Sequence, residues 1–218
     1  MDNVLAQLSG LGSSFALILA LIVLWRKSVT VYITAFTWQS ATLAAVVAVI
    51  GYFAGDPRLY GIAAVLLLLR GVAMPALLRR MDARFGPAHE SQPYVNAGAS
   101  VLVAGILVLV AYGVTRPLVA ISTLPTRGAM PLAMGLVFVS LFIVVSRKKA
   151  ITQIVGFLML ENGVALLAVL GAYGVPLIVE FGVFLDAIMG FLVMQVFVYH
   201  IHETFESIDV DELNRLKH

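Results

Sequence analysis

The chain has 218 residues, of which 61% are hydrophobic and only 12% are charged. An ordinary soluble domain contains about 25% charged residues, so this composition excludes a soluble globular protein and predicts an integral membrane protein. The formal net charge of +2 is too small to indicate nucleic-acid binding. The chain contains no cysteine. This excludes thiolate-held iron–sulfur clusters, disulfides and the common structural zinc sites within it.

The four histidines all lie near or beyond the ends of apolar stretches, at His89, His200, His202 and His218. A haem held between two histidines at mid-depth in the membrane is therefore not expected. We expect neither a cofactor nor a metal in this chain, and we expect any electron transfer to occur in other polypeptides.

Seven stretches of the chain are apolar and long enough to cross the hydrocarbon core, which about 20 helical residues span. Their predicted bounds are roughly 4–25, 29–53, 59–80, 93–114, 129–146, 150–173 and 176–201. Helices are required because backbone groups in lipid must be hydrogen-bonded within the segment. The predicted fold class is therefore an all-α membrane protein with seven transmembrane helices. No basic residue precedes the first stretch, which is predicted to be an anchor rather than a cleaved signal peptide.

Lysine and arginine are distributed unevenly among the connecting segments. One side carries ten of them: Arg26, Lys27, Arg79, Arg80, Arg84, Arg147, Lys148, Lys149, Arg215 and Lys217. The other side carries Arg58, Arg116 and Arg127, and Arg70 lies within the membrane. By the positive-inside rule the first side is cytoplasmic. The N-terminus is then predicted outside, and the acidic tail, 203–218, in the cytoplasm.

Two carboxylates, Glu161 and Asp186, lie halfway along the sixth and seventh predicted helices. Each is about 15 to 18 Å from the helix ends. An ionised aspartate at the bilayer centre costs roughly 2.5 to 3.5 kcal/mol, so such residues are usually functional. The short link 171–174 predicts that the two helices are antiparallel neighbours. A buried carboxyl pair can exchange protons near neutral pH. The alternative is a pair of protonated acids that only hydrogen-bond neighbouring helices.

Arg70 and Asn162 are candidates for the same proton pathway. A guanidinium inside the third predicted helix requires a partner, either a mid-depth acid or the carbonyls freed by Pro75, unless it snorkels to the surface. Asn162 adjoins Glu161 and is expected to order water there.

His200 is the last candidate, because helical spacing places it on the same face as Asp186, toward the cytoplasmic end. An imidazole there can exchange protons with bulk water. The alternative is a histidine that simply lies at the lipid–water boundary.

Four glycines lie in the sixth and seventh predicted helices and their link: Gly156, Gly163, Gly171 and Gly190. Small residues at these positions are expected to permit close helix packing, as they commonly do in membranes.

Three runs near the end of the chain resemble hydrogenase-4 component E: Gly156-Phe157-Leu158-Met159-Leu160-Glu161-Asn162-Gly163, Asp186-Ala187-Ile188-Met189-Gly190-Phe191 and His200-Ile201-His202-Glu203. That family comprises membrane subunits of energy-converting group 4 nickel–iron hydrogenases and their formate hydrogenlyase relatives. The length and the seven-helix plan fit over the whole chain. The last three predicted helices, about 129–202, also resemble the K subunit of respiratory complex I and the C subunit of multisubunit sodium/proton antiporters.

The resemblance to the K subunit implies roles for two residues, since a glutamate in each of its last two helices belongs to the proton path. Asp186 falls where the second glutamate stands in the Glu-Ala-x-x-Gly pattern. When Asn162 is aligned with the corresponding asparagine, Leu158 takes the strict position of the first glutamate. Glu161 is then displaced by about one turn, which changes its depth by about 5 Å.

The resemblance implies a four-helix N-terminal membrane region, 1–128, a K-subunit-like region, 129–202, and a cytoplasmic tail, 203–218. It implies a non-redox subunit of a hydrogenase-4-like or complex I-like assembly, in the cytoplasmic membrane of a bacterium or archaeon. The expected partners are antiporter-like membrane subunits, a complex I H-subunit-like membrane subunit, and peripheral hydrogenase-like subunits. These partners would carry the nickel–iron centre and the iron–sulfur clusters. The alternatives are a passive scaffold, a subunit of a cation/proton antiporter, and a self-contained ion transporter.

Overall fold

The computed structural model describes residues 2–85 and 94–172, and every regular element in these ranges is helical. All of these residues belong to the first of two structural units, Met1–Gly182. The second unit, Val183–His218, lies outside the described residues. The predicted seventh helix and the tail therefore stay predictions.

The helices in chain order are α1 (Asp2–Trp25), α2 (Val29–Ala54), α3 (Arg58–Leu66), a π-helical segment (Leu67–Ala73), α4 (Met74–Phe85), α5 (Ala97–Ile121), a 3-10 segment (Pro125–Ala129), α6 (Met130–Ser146) and α7 (Ala150–Ala172). The segments α3, π and α4 run on as one continuous helix. Within the described ranges, six helices are long and apolar enough to cross a membrane. Each overlaps one of the first six predicted stretches, so the helical membrane architecture is confirmed over this part of the chain.

The bounds predicted for the fourth helix, 93–114, are wrong. The Asn96 side chain caps the helix by accepting a hydrogen bond from the Ala99 N–H at 2.8 Å, and the helix continues through Pro117 to Ile121. Proline is tolerated inside transmembrane helices where neighbouring groups satisfy the local backbone. Arg116, expected in a loop, is therefore part of α5.

Pro75 accounts for the π segment that precedes it. Proline has no N–H, and in a regular α-helix its ring would crowd the carbonyl four residues earlier, which belongs to Gly71. The wider π turn relieves this crowding, and the Met74 N–H bonds to the Leu69 carbonyl, five residues back. Arg70 lies at the centre of this segment and is buried.

The helices pack so that α2 contacts α1, the third membrane-spanning helix and α7, while α6 contacts both α5 and α7. The core between them is formed by aliphatic side chains together with Tyr32 and Phe36. Among the six spans α5 is the least buried, with only 17% of its most apolar window inside the protein. The α5 helix therefore presents most of its surface outward.

Two of the glycines expected to permit close packing do so. A Cβ added at Gly163 would lie 3.0 Å from the Val137 nitrogen of α6, and one added at Gly156 would lie 3.2 Å from the Val144 nitrogen. At Gly171 the nearest atom would be 3.8 Å away, an ordinary contact, so the prediction is wrong for that position. Gly190 lies outside the described residues.

Candidate functional site

Arg70 reaches from the π segment to two consecutive residues of α7. Its Nη2 donates to Glu161 Oε2 at 3.2 Å, and its Nη1 donates to Asn162 Oδ1 at 2.5 Å. The side chains of Arg70 and Glu161 are only 5% and 11% exposed, so the ion pair is enclosed by protein. A planar guanidinium can serve two acceptors at once. Of the partners predicted for Arg70, the structure therefore shows the carboxylate of Glu161.

The ion pair lies at mid-depth of both helices that form it. At about 1.5 Å per residue, Glu161 is about 16 Å from either end of α7. Arg70 lies about 15 to 18 Å from the ends of its span, Arg58–Arg80. Because water is scarce at this depth of a bilayer, each charge depends on the protein for compensation.

Asn162 extends the site to α2 and α1. Its Nδ2 donates to Gln39 Oε1 at 3.2 Å and to Ser40 Oγ at 3.0 Å. Gln39 Nε2 in turn donates to the Ala16 carbonyl of α1 at 3.0 Å. Since an arginine has only donors, the Asn162 oxygen must face Arg70, and its amide nitrogen must then face Gln39. The direction of each hydrogen bond is thereby fixed.

These five side chains form one group, which we call the polar cluster: Gln39, Ser40, Arg70, Glu161 and Asn162. All but Glu161 are at least 96% buried. Side chains joined by hydrogen bonds in this way restrict one another's movement. The cluster therefore fixes the position of the Glu161 carboxylate.

Gln39 and Ser40 were missed by the reasoning from sequence. Gln39 lies about 15 Å from the start of α2, deep enough that an amide side chain needs a hydrogen-bond partner. That depth was a signal for Gln39. Ser40 gave no such signal, because a serine in a helix can bond to its own backbone.

Two of the predicted site residues, Asp186 and His200, lie outside the described residues. The proposed pairing of Asp186 with Glu161 and the route through His200 therefore stay predictions. Over residues 2–85 and 94–172, no group of three or more histidine, aspartate or glutamate side chains is placed to hold a metal ion.

A second buried cation, Arg147, follows α6 and is 1% exposed. Its Nη2 donates to the carbonyls of Val23 at 3.3 Å and Leu24 at 3.0 Å, and its guanidinium lies 5.6 Å from the ring centre of Tyr32. The last carbonyls of a helix have no partner within the helix, and they favour a positive charge. In the sequence, Arg147 was used only to predict the orientation of the chain. The structure shows that it also caps the C-terminal end of α1.

The fold and the site define a multi-pass helical membrane protein with a charged, hydrogen-bonded cluster at mid-depth. Over 199 residues the chain is 35% identical to the uncharacterized protein Rv0085 of Mycobacterium tuberculosis, an alignment that covers 91% of this chain and 90% of that protein. The chain belongs to the same family as this mycobacterial protein.

A second similarity covers less of the chain. Over 116 residues it is 32% identical to hydrogenase-4 component E of Escherichia coli and of Shigella flexneri. This alignment covers 53% of the chain and 54% of those proteins, so the chain matches about half of their length. No protein-family model matches the chain, and no solved structure does.

Proposed function

We propose that the chain is a non-redox membrane subunit of a hydrogenase-4-like, complex I-like energy-converting complex, and that Glu161 binds protons transiently during ion translocation. The similarity to hydrogenase-4 component E supports membership of a hydrogenase-type complex. The polar cluster supports the role of Glu161. In this proposal the chain crosses the cytoplasmic membrane of a bacterium or archaeon seven times, with its N-terminus outside and its C-terminus inside.

The observation that carries the proposal is the sharing of Arg70 between Glu161 and Asn162. A proton-binding site must be stable with and without its proton. When Glu161 is ionised, Arg70 compensates its charge. When Glu161 takes up a proton, the guanidinium keeps the Asn162 oxygen as an acceptor, so the buried cation is never left without one. The cluster can therefore change its charge by one unit while keeping its geometry.

Proton transfer to and from Glu161 requires further groups. We assign these roles to Asp186, as a second carboxyl site, and to His200, as the group that exchanges protons with cytoplasmic water. Antiporter-like and H-subunit-like membrane subunits would continue the path, and peripheral hydrogenase-like subunits would hold the nickel–iron centre and the iron–sulfur clusters. Events in those subunits would shift Glu161 between two states of different proton affinity.

The test is Glu161→Gln in the intact complex. Glutamine keeps the size and the hydrogen-bonding oxygen of the side chain but cannot bind and release a proton. We expect the complex to assemble and proton translocation by membrane vesicles to fall to background, while Glu161→Asp keeps part of it. Thr152→Ala is the matched control, because Thr152 is buried on the same helix and, among the described residues, its hydroxyl donates only to the Lys149 carbonyl.

A passive scaffold is the second candidate, and one observation favours it. The polar cluster joins α1, α2, the third membrane-spanning helix and α7, as a purely structural fastening would. Unchanged proton translocation by an assembled Glu161→Gln complex would establish the scaffold. Mass spectrometry of the co-purifying subunits would separate a hydrogenase-type complex from a multisubunit antiporter.

A further inference from the structure

An open cleft of about 570 Å³ lies between the C-terminal part of α5 and the start of α6. Its walls are apolar except for two side chains on α5, Tyr112 and Arg116. A Cβ added at Gly113 or at Gly128 would meet no atom within 4 Å, so both glycines border open space. Binding sites for small ligands have volumes of about 300 to 1,000 Å³. The described residues thus leave a space of ligand size between these two helices.

Arg116 is the charged group of this cleft. It is exposed, and it makes no hydrogen bond or ion pair with any residue that the structure describes. Arg127, in the 3-10 segment, is different, because its Nη1 donates to the Ser122 carbonyl at 2.6 Å. Arg116 therefore offers all its donors to a group from outside the described part of the chain.

The depth of Arg116 indicates what that group is. The α5 helix has 25 residues and is about 37 Å long, so it exceeds the hydrocarbon core of about 30 Å. Arg116 lies about 7 Å before its C-terminal end, near the level where acyl chains meet headgroups. A cation at that level attracts the phosphates of anionic lipids.

The exposure of α5 indicates that the cleft opens toward lipid. Leu102 and Leu109 on this helix are 72% and 73% exposed, as expected of a face in contact with lipid. Tyr112 and Arg116, one turn apart, place a hydroxyl and a guanidinium on the rim of an apolar cleft. Such a surface complements an amphiphile with a negative head and an apolar tail.

We propose that this cleft binds an anionic glycerophospholipid, with its phosphate at Arg116 and an acyl chain against Gly113 and Gly128. The site is separate from the polar cluster, so the proposal does not depend on proton transfer by Glu161.

Native mass spectrometry of the full chain in detergent tests the proposal, with phosphatidylglycerol and phosphatidylcholine as probes. We expect the wild-type chain to retain phosphatidylglycerol in preference to phosphatidylcholine. Arg116→Gln should lower phosphatidylglycerol binding about fivefold, the effect of one cation at a membrane surface, and leave phosphatidylcholine binding unchanged. Arg58→Gln, which removes the charge of another exposed arginine, should change neither.

A steric pair of variants tests the cleft itself. Gly113→Val should reduce the binding of both lipids by filling the cleft. Gly105→Val should not, although Gly105 is equally exposed on α5 and equally free of neighbours within 4 Å. Equal phosphatidylglycerol binding by wild type and Arg116→Gln would overturn the proposal, as would equal losses in the two valine variants. It would also be overturned if a photo-crosslinker at position 116 captured another subunit of the intact complex instead of lipid.

Discussion

Replacing Arg70 with methionine removes the cation of the polar cluster and keeps an unbranched stem in its place. At 3.2 Å from Glu161 Oε2, with an effective dielectric constant of about 20, the attraction between the two charges is about 5 kcal/mol. Removing one partner of a buried pair typically costs about 3 to 5 kcal/mol, because the other charge stays buried. We expect Arg70→Met to lower the free energy of unfolding by about 3 to 5 kcal/mol.

The companion variants separate the charge pair from simple packing. Glu161→Gln should cost about 1 to 3 kcal/mol, less than Arg70→Met, because Arg70 keeps its bond to Asn162. The double variant carries neither charge, so it should lose about 2 to 3 kcal/mol less than the sum of the two single losses. The assay is a titration of the purified protein with a denaturing detergent, followed by tryptophan fluorescence. Arg79→Met, at an exposed position of α4, should cost no more than about 0.5 kcal/mol.

Two results would contradict a buried ion pair between Arg70 and Glu161. Additive losses in the double variant would show that the two side chains do not compensate each other's charge. A loss for Arg70→Met as small as that for Arg79→Met would show that the guanidinium is not buried against Glu161.

Two further pairs of variants test the helix packing at the site and the cap of α1. Gly163→Ala would push a methyl group against the Val137 backbone and should lower the free energy of unfolding by about 1 to 3 kcal/mol. At Gly171 an added Cβ would lie 3.8 Å from the nearest atom. Gly171→Ala should therefore be neutral or raise the free energy of unfolding by up to about 1 kcal/mol. Arg147→Met should lower the free energy of unfolding by about 2 to 3 kcal/mol, because it leaves the end of α1 uncapped. Lys27 is exposed, so Lys27→Met should change the free energy of unfolding by no more than about 0.5 kcal/mol. Thermal unfolding in detergent measures both pairs, and equal midpoints within either pair would contradict the corresponding contact.

The helices were predictable because the bilayer allows few alternatives. A long apolar stretch must be helical, and six of the predicted stretches are helices of the described chain. The ends of α5 were not predictable in the same way. Pro117 and Arg116 are typical of loops, yet α5 continues past both to Ile121.

The charged members of the site and the neutral Asn162 were predictable from the sequence, whereas the neutral Ser40 was not. Burial forces a guanidinium to find a partner, so the sequence could demand one for Arg70. It could not place Ser40, because hydroxyls on α2 usually bond to their own helix, as Thr37 does to the Ile33 carbonyl and Thr42 to the Trp38 carbonyl. Ser40 instead accepts a hydrogen bond from Asn162, which is 122 residues away in the chain. Such long-range pairings follow from helix packing and not from local pattern.

A comparison of two buried arginines, Arg70 and Arg147, shows why the pairing at mid-depth matters. Arg147 is compensated by the carbonyls of Val23 and Leu24, which are fixed dipoles and cannot change their charge. Arg70 is compensated by Glu161, a group that can bind a proton, and by Asn162, a group that cannot. If the chain needed Arg70 only to fasten helices, fixed dipoles such as those that hold Arg147 would serve. A carboxylate at the same place adds one property, a charge that a proton can cancel, and this property is what proton translocation requires.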